Sequence, residues 1–361
     1  MRPKEYRIKE LLREKGLDGA IVSSPENFHY VTGFGGHQHT VSRQPGFTLA
    51  VMRADDKVPT HLTTMDFEAA TFRIKAAGLN FVVDPYDTWV GLKTWDEIAH
   101  GAVVPDKTAM ESSMDKLVQF MKACDLANKK VGVELDYLPV PYYKSLTEKF
   151  PEAEFVDISD LFVYARSVKQ PDEIEMFRNL CRIADHGFTE VSKIAKIGVS
   201  ERELAQCFRE DVIKSGFCAP SSWSMFSTGP SSARLTLPGD GVVKDGDVVK
   251  FDAGVNAEFD FYTTDTSRAW IIGNGDPALL KLKDRLYEGQ RRMIAAAKPG
   301  LPINELYHTA YDYVKEMFPC YRRGHQGHSI SMGPATAEAP YINASETRPL
   351  EAGMILAMEV P

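Results

Sequence analysis

Four ionisable residues sit inside or at the edge of short strand-like runs in the second half of the chain, two of them apolar, and no other feature restricts the fold as much. Asp252 closes the run Val248-Val249-Lys250-Phe251-Asp252-Ala253, and Glu359 lies within Ile355-Leu356-Ala357-Met358-Glu359-Val360. Asp265 stands in Thr263-Thr264-Asp265-Thr266-Ser267-Arg268, and His328 leads into Ser329-Ile330-Ser331-Met332. An unpaired carboxylate inside an apolar strand is strongly disfavoured. A fold that buries these strands must therefore bring the charged groups a partner.

The chain is expected to reverse over 254–260, which sets the strand 261–272, and Asp265 with it, beside Asp252. Two carboxylates on neighbouring strands repel, and a divalent cation between them removes the repulsion; oxygen and imidazole donors suit Mn, Co, Fe or Zn. Taken singly, Asp252 reads as a turn residue, Asp265 as the ion-pair partner of Arg268, and His328 as a hydrogen-bonded histidine at a strand end. Four such groups on strands of one domain read together as a metal site, and the activity expected is metal-dependent hydrolysis. Around it, Arg268 is expected to orient Asp265, and His325 to act as a supporting donor or turn residue. Trp223 and Phe226 read equally as pocket aromatics or core, and Asp260 as an outer acid or a solvated turn residue. His37 and His39, in Gly33-Phe34-Gly35-Gly36-His37-Gln38-His39, have the composition of a chelating pair but also of a polar loop.

A chain of 361 residues fits two domains. Residues 1–163 alternate helical and strand patterns: helices over 6–15, 67–77 and 114–127, strands over 20–22, 47–52, 80–83 and from 129. That alternation predicts an α/β domain. The polar stretch 165–171 marks the boundary. Residues 164–361 place helices in runs and strands in runs, an α+β pattern. Ile174, Phe177, Leu180, Ile183, Phe188, Val191 and Ile194 form a core-facing stripe on one helix. Ser200-Glu201-Arg202-Glu203 has the form of a capping box opening the next. Further helices are expected over 277–297 and 303–317, and strands over 247–253, 328–332 and 354–360. No repeat of the solenoid or propeller kind is present.

The formal charge of -8 is spread along the chain, so there is no electrostatic footprint for nucleic acid or an anionic membrane. No segment reaches the roughly 18 continuous apolar residues of a membrane span, and residues 1–15 lack the apolar run of a secretory leader. Five scattered cysteines without a CxxC pair argue against a disulfide framework or a thiolate zinc site, and the expected compartment is the cytoplasm.

The order Asp–Asp–His–Glu, in the contexts Phe-Asp-Ala-Gly, Thr-Asp-Thr-Ser-Arg, Gly-His-Ser-Ile and Met-Glu-Val-Pro, resembles the pita-bread metallohydrolases: prolidase, aminopeptidase P, methionine aminopeptidase and creatinase. Lys244-Asp245-Gly246-Asp247 before the first Asp strengthens the likeness. Asn27-Phe28-His29-Tyr30-Val31-Thr32-Gly33-Phe34 is similar to a motif of the creatinase-type N-terminal domain, and Val168-Lys169-Gln170-Pro171-Asp172-Glu173-Ile174 to its boundary helix. The resemblance implies an α/β creatinase-type domain over 1–163 and an α+β pita-bread catalytic domain over 164–361. It implies two divalent cations, with Asp252 a ligand of one, Asp265 a bridge, and His328 and Glu359 ligands of the other. Water activated by the cations would attack, and Glu359 would shuttle its proton, so Glu359 and His328 carry the catalysis. It further implies a homodimer, in which the His37–His39 loop of one subunit reaches the other's pocket, and a short-peptide or small-molecule substrate cleaved at a C–N bond.

Three departures qualify that implication. The family's second Glu ligand lies beyond Pro361, where this sequence stops, which reads as a truncated form expected to bind metal weakly. The spacing from Asp252 to Asp265 is longer than usual, with the excess in 256–260. The two pocket histidines of the family's peptidases are replaced, one by the 233–238 stretch and the other by Pro334-Ala335-Thr336-Ala337 before Glu338. An Xaa-Pro dipeptidase or aminopeptidase is the first expectation. A creatinase-like hydrolase or lyase on a small non-peptide is the second, and a non-catalytic binding module the third.

Overall fold

A computed structural model describes residues 3–88, 93–101, 108–216, 218–258, 260–333 and 336–361. The chain divides into two units, Met1–Ala165 and Arg166–Pro361. Among the described residues no helix is long and apolar enough to cross a membrane.

The N-terminal unit runs α1 (Glu5–Glu14), β1 (Gly19–Val22), α2 (Pro25–Thr32), β2 (Leu49–Arg53), β3 (Thr60–Thr63), α3 (Ala69–Ala76), β4 (Phe81–Val83), α4 (Trp95–Ala99), α5 (Ala109–Ala123), β5 (Lys130–Val133), α6 (Val140–Lys149), β6 (Glu154–Asp157) and α7 (Ser159–Ser167), the last crossing into the second unit. Its six strands form one sheet in the order β4-β3-β2-β1-β5-β6. β1 is antiparallel to β2 and parallel to β5. All four β1 residues are buried, which is why it reads as a continuous apolar run rather than an alternating one. Leu117, Phe120 and Met121 of α5 and Leu146 of α6 share a core with Ile21, Val51 and Val131.

Helix α2 falls in a stretch where the sequence pattern predicts no helix. Eight residues are too few to be stable alone, and tertiary anchors hold this helix. Ser24 caps it by accepting from the Asn27 N–H. Glu134, fully buried after β5, accepts from the Ser23 N–H, from Ser24 Oγ at 2.6 Å and from Asn27 Nδ2 at 2.5 Å. The histidine loop is ordered as a π-helical turn over Gln38–Ser42. His39 is buried, with Nε2 2.9 Å from the Ser23 carbonyl and its ring edge-on to Phe28, while His37 is exposed.

The second unit runs α8 (Pro171–Ile194), α9 (Glu201–Lys214), β7 (Cys218–Pro220), β8 (Met225–Thr228), β9 (Val248–Ala253), β10 (Val255–Ala257), β11 (Thr266–Ile271), α10 (Pro277–Ala296), α11 (Ile303–Met317), β12 (His325–Ser329), β13 (Glu338–Asn343) and β14 (Leu356–Met358). A helix pair followed by strands occurs twice, so helices and strands do come in runs. The sheets are β10-β7, β11-β9-β8 and β13-β12-β14. Ser200 and Glu203 close a reciprocal capping box at the start of α9. In β9 the alternation is visible as burial: Val249, Phe251 and Ala253 are buried, and Val248, Lys250 and Asp252 only partly so. Phe251 meets the rings of Phe188, Phe226 and Trp270 at 6.3, 5.0 and 4.6 Å.

The strand expected over 261–272 begins only at Thr266. Phe261 takes a left-handed φ of 64°, and the next residues make isolated bridges, Asn256 to Thr263 and Tyr262 to Met332. The chain thus touches the segment following β12 before it joins β9, and Asp265 stands at that junction.

Candidate metal centre

Each candidate ligand is set by a different strand end. Side chains alternate along a strand, so β9, with Phe251 in the aromatic core, turns Asp252 to the opposite face. There Asp252 pairs in register with Ser267 of β11 and Met225 of β8. Asp265 immediately precedes β11. β12 pairs with β14 through Gly327 opposite Met358 and His328 opposite Ala357, and the Glu359 N–H donates to the Gln326 carbonyl at 3.0 Å. That close pairing requires glycine at 327: its φ is 127°, and a Cβ there would meet the Ala357 carbonyl oxygen at 1.9 Å.

The result is a convergence on His328. Its Nε2 lies 3.2 Å from Asp265 Oδ2 and 3.2 Å from Glu359 Oε1, and its Nδ1 lies 3.0 Å from the Ser329 carbonyl. Among the described residues, Asp265, His328 and Glu359 offer ligand atoms all within 4.8 Å of one another. Asp252 is not in that tight group but is coupled to it: burial, and then the charges of Asp265 and Glu359, push its acid up to about 7. Burial opposes charge on His328, but its hydrogen bonds to Asp265 and Glu359 prevail and hold it protonated, its pKa pushed up to about 10. Burial also opposes ionisation of Glu359, yet the His328 hydrogen bond and the Arg323 charge bring its acid below the ordinary range.

These shifts describe three carboxylates crowded around too little positive charge. In the polypeptide alone a proton on His328 bridges Asp265 and Glu359, and Asp252 gives up part of its charge. A divalent cation does the same work with more charge, and a set of carboxylate oxygens with one imidazole suits Mn, Co, Fe or Zn. Donation from Nδ1 to the Ser329 carbonyl would leave Nε2 as the ligating nitrogen. The residues present fit a metal.

The neighbours divide by strand face. Arg268, expected at Asp265, lies three positions along an alternating strand and so points the other way. It is paired across β11–β9 with Phe251, its Nη2 binds Asp185 of α8 at 2.7 Å, and its guanidinium lies over Phe188. His325 stays near the site: its ring meets His328 at 6.1 Å and Tyr341 at 5.6 Å, and Nδ1 accepts from the Gly327 N–H. Phe226 is core, fully buried against Phe208 and Phe251. Trp223 is half-buried and packs on Gly254, where a Cβ would meet its ring at 2.8 Å. Glu338 binds Arg166 at 2.6 Å. Asp260 lies in the turn between β10 and β11, Ala335 lies outside the described residues, and His37 and His39 belong to the N-terminal unit.

Two residues escaped the sequence reading. Arg323 holds Glu359 Oε2 at 3.0 Å and the His325 carbonyl at 3.1 Å. Lys250 shares the Asp252 face of β9 and donates to the Arg234 carbonyl at 2.9 Å. The signal for Lys250 was present, a cation inside the same apolar run as Asp252.

Comparison with known proteins gives the family and the fold. The family model for metallopeptidase family M24 matches residues 175–361, and that for the creatinase/prolidase N-terminal domain matches residues 6–168. An uncharacterized peptidase of Bacillus subtilis, YqhT, is 25% identical over 358 residues, covering 98% of this chain and 88% of its own. Among solved structures, a Xaa-Pro dipeptidase from Bacillus anthracis superposes with a TM-score of 0.78 at 23% identity, over 98% of this chain and 88% of that one. The N-terminal domain of the FACT complex subunit SPT16 from chickpea superposes with a TM-score of 0.71 at 15% identity, over 98% and 85%. At such identities the superpositions speak for the fold alone.

Proposed function

The chain belongs to metallopeptidase family M24, with a creatinase/prolidase N-terminal domain ahead of the catalytic one, and from that premise we propose that it is a dinuclear metal hydrolase cleaving a C–N bond. The observation that carries the reading is the convergence of Asp265 and Glu359 on one nitrogen of His328, with Asp252 coupled to them. Asp252, Asp265, His328 and Glu359 would hold the cations, which supply Lewis acidity when bound, making water more acidic and polarising a carbonyl.

The protein's own groups do the rest. The Ser329 carbonyl fixes the His328 ring, so Nε2 stays aimed between Asp265 and Glu359. Arg323 grips one oxygen of Glu359 and leaves Oε1 turned to the centre. Glu359 Oε1 is then the atom that takes a proton from the attacking water and returns it to the leaving nitrogen.

Substrate choice follows from what surrounds that centre. Xaa-Pro dipeptides are the family's default, but the 233–238 stretch carries no histidine, and neither do Thr336 and Ala337. Losing one hydrogen-bond donor at a developing charge costs on the order of 3 kcal/mol, roughly a hundredfold in rate. The reading is therefore a pocket that favours a small non-peptide amide or amidine over prolyl peptides. The test is kcat/KM of the manganese-loaded protein on a panel of Xaa-Pro dipeptides and small amides. Prolyl values below about 10⁴ M⁻¹s⁻¹ are expected; values at or above that range overturn the substrate argument.

A further inference from the structure

His186 stands between two carboxylates on the flank of the α8–α9 pair. Helix α8 packs through Phe188 on Phe251, on the face of β9 opposite Asp252, so this flank is separate from the candidate centre. Gly187 lets α9 come close: a Cβ there would meet the Phe208 ring at 2.8 Å and lie 3.6 Å from Asp211 Oδ2. Beside that contact, His186 Nδ1 lies 2.8 Å from Asp211 Oδ2. Its Nε2 lies 3.8 Å from Oε1 of Glu190, one turn further along α8. The short connection 195–200 returns α9 antiparallel to α8. Cys207 lies one turn before Asp211 on α9, as Glu190 lies one turn after His186 on α8. Residues four apart share a helix face, so Glu190 and Cys207 face each other on the flank where His186 meets Asp211. Cys207, Glu190 and Asp211 are half-buried there, and His186 is exposed.

Two ligands held about 2.1 Å from a tetrahedral ion are roughly 3.4 Å apart, close to the 3.8 Å between His186 Nε2 and Glu190 Oε1. The other ring nitrogen is already placed for such a role. An ionised Asp211 only accepts, so Nδ1 carries the hydrogen, and the neutral ring keeps its Nε2 lone pair for a metal. Burial and the charges of Glu190 and Asp211 push the Cys207 thiol up, so without a cation it stays neutral; a bound cation makes it a thiolate ligand. Imidazole, carboxylate and thiolate together suit zinc. In the metal-free protein Lys193 holds Glu190 at 2.6 Å, an exposed ion pair and hence a weak competitor.

We propose that His186, Glu190 and Cys207 bind a zinc ion across the α8–α9 pair, with Asp211 orienting the imidazole. The ion clasps the two helices whose Phe188 and Phe208 back Phe251 and Phe226.

Cobalt(II) is the probe, because sulfur ligation gives it an intense near-ultraviolet charge-transfer band that oxygen and nitrogen ligands do not. Asp252, Asp265, His328 and Glu359 include no sulfur, so cobalt held there gives no such band. Reduced, metal-free protein titrated with cobalt is expected to develop the band, and added zinc to abolish it. Cys207→Ser should lose the band and Cys218→Ser should keep it. His186 is exposed, so His186→Ala leaves the fold intact, and it should weaken cobalt binding, read at this band, about tenfold or more. Asp211→Asn should weaken it by about tenfold. Cobalt uptake by wild type without the band overturns the inference and leaves the reading of the catalytic centre untouched. A band that survives Cys207→Ser, or an affinity unchanged in His186→Ala, overturns it as well.

Discussion

Protonation of His39 is a perturbation whose size can be worked from its surroundings. The ring is buried, Nε2 lies against the Ser23 carbonyl, and Nδ1 has no hydrogen-bond partner among the described residues. Charging the ring would put a second N–H into a place that offers it nothing, and burial lowers the pKa from 6.5 to about 4. Between those two values the unfolded chain binds a proton that the folded chain refuses. Stability contributed by the neutral ring is thus complete above pH 6.5 and is lost as pH falls towards 4. At about 1.4 kcal/mol per pKa unit the full effect is about 3.5 kcal/mol, of which about 2 kcal/mol is lost between pH 7 and pH 5. His39→Gln keeps an amide donor for Ser23 and removes the titration. Urea unfolding of wild type and variant at both pH values isolates the term, because every other titrating group is common to the two. Wild type should lose about 2 kcal/mol more than the variant. Losses equal within about 0.5 kcal/mol, the usual scale of a neutral surface change, refute the reasoning.

Phe251→Ala should cost about 3–5 kcal/mol, because it empties the ring cluster that fixes β9; Phe251→Leu should cost far less. An alanine loss below about 2 kcal/mol in urea unfolding would show that the cluster does not set the strand. Arg268→Ala should leave metal content unchanged and cost at most about 1 kcal/mol, since its exposed pair with Asp185 lies on the face opposite the site. A lost metal equivalent in that variant contradicts the strand-face assignment.

The elements of the second unit were more legible in the sequence than those of the N-terminal half. Asp252, Asp265, His328 and Glu359 could be proposed from the sequence because each is an ionisable group on a strand-like run, and such patterns are local. Helices α8 and α9 were legible for the same reason, through an amphipathic stripe and a capping box. Helix α2 was not, because its stability comes from Glu134, more than a hundred residues away in the chain. His39 read as part of a polar loop because its glycine-rich neighbours conceal a buried π-helical turn. The strand before Asp265 was placed too early because Phe261 takes a left-handed turn and Tyr262 bridges to Met332, a contact between distant segments. Arg268 was assigned to Asp265 by closeness in sequence, which strand alternation overrides.

The central claim is that Asp252, Asp265, His328 and Glu359 hold divalent cations, and metal content tests it most directly. Full-length protein dialysed against manganese should retain the ion in stoichiometric amount by elemental analysis, and Asp265→Ala and His328→Ala should each lose at least one equivalent. Loss of a ligand leaves the remaining carboxylates without a shared cation. Unchanged manganese content in both variants contradicts the account.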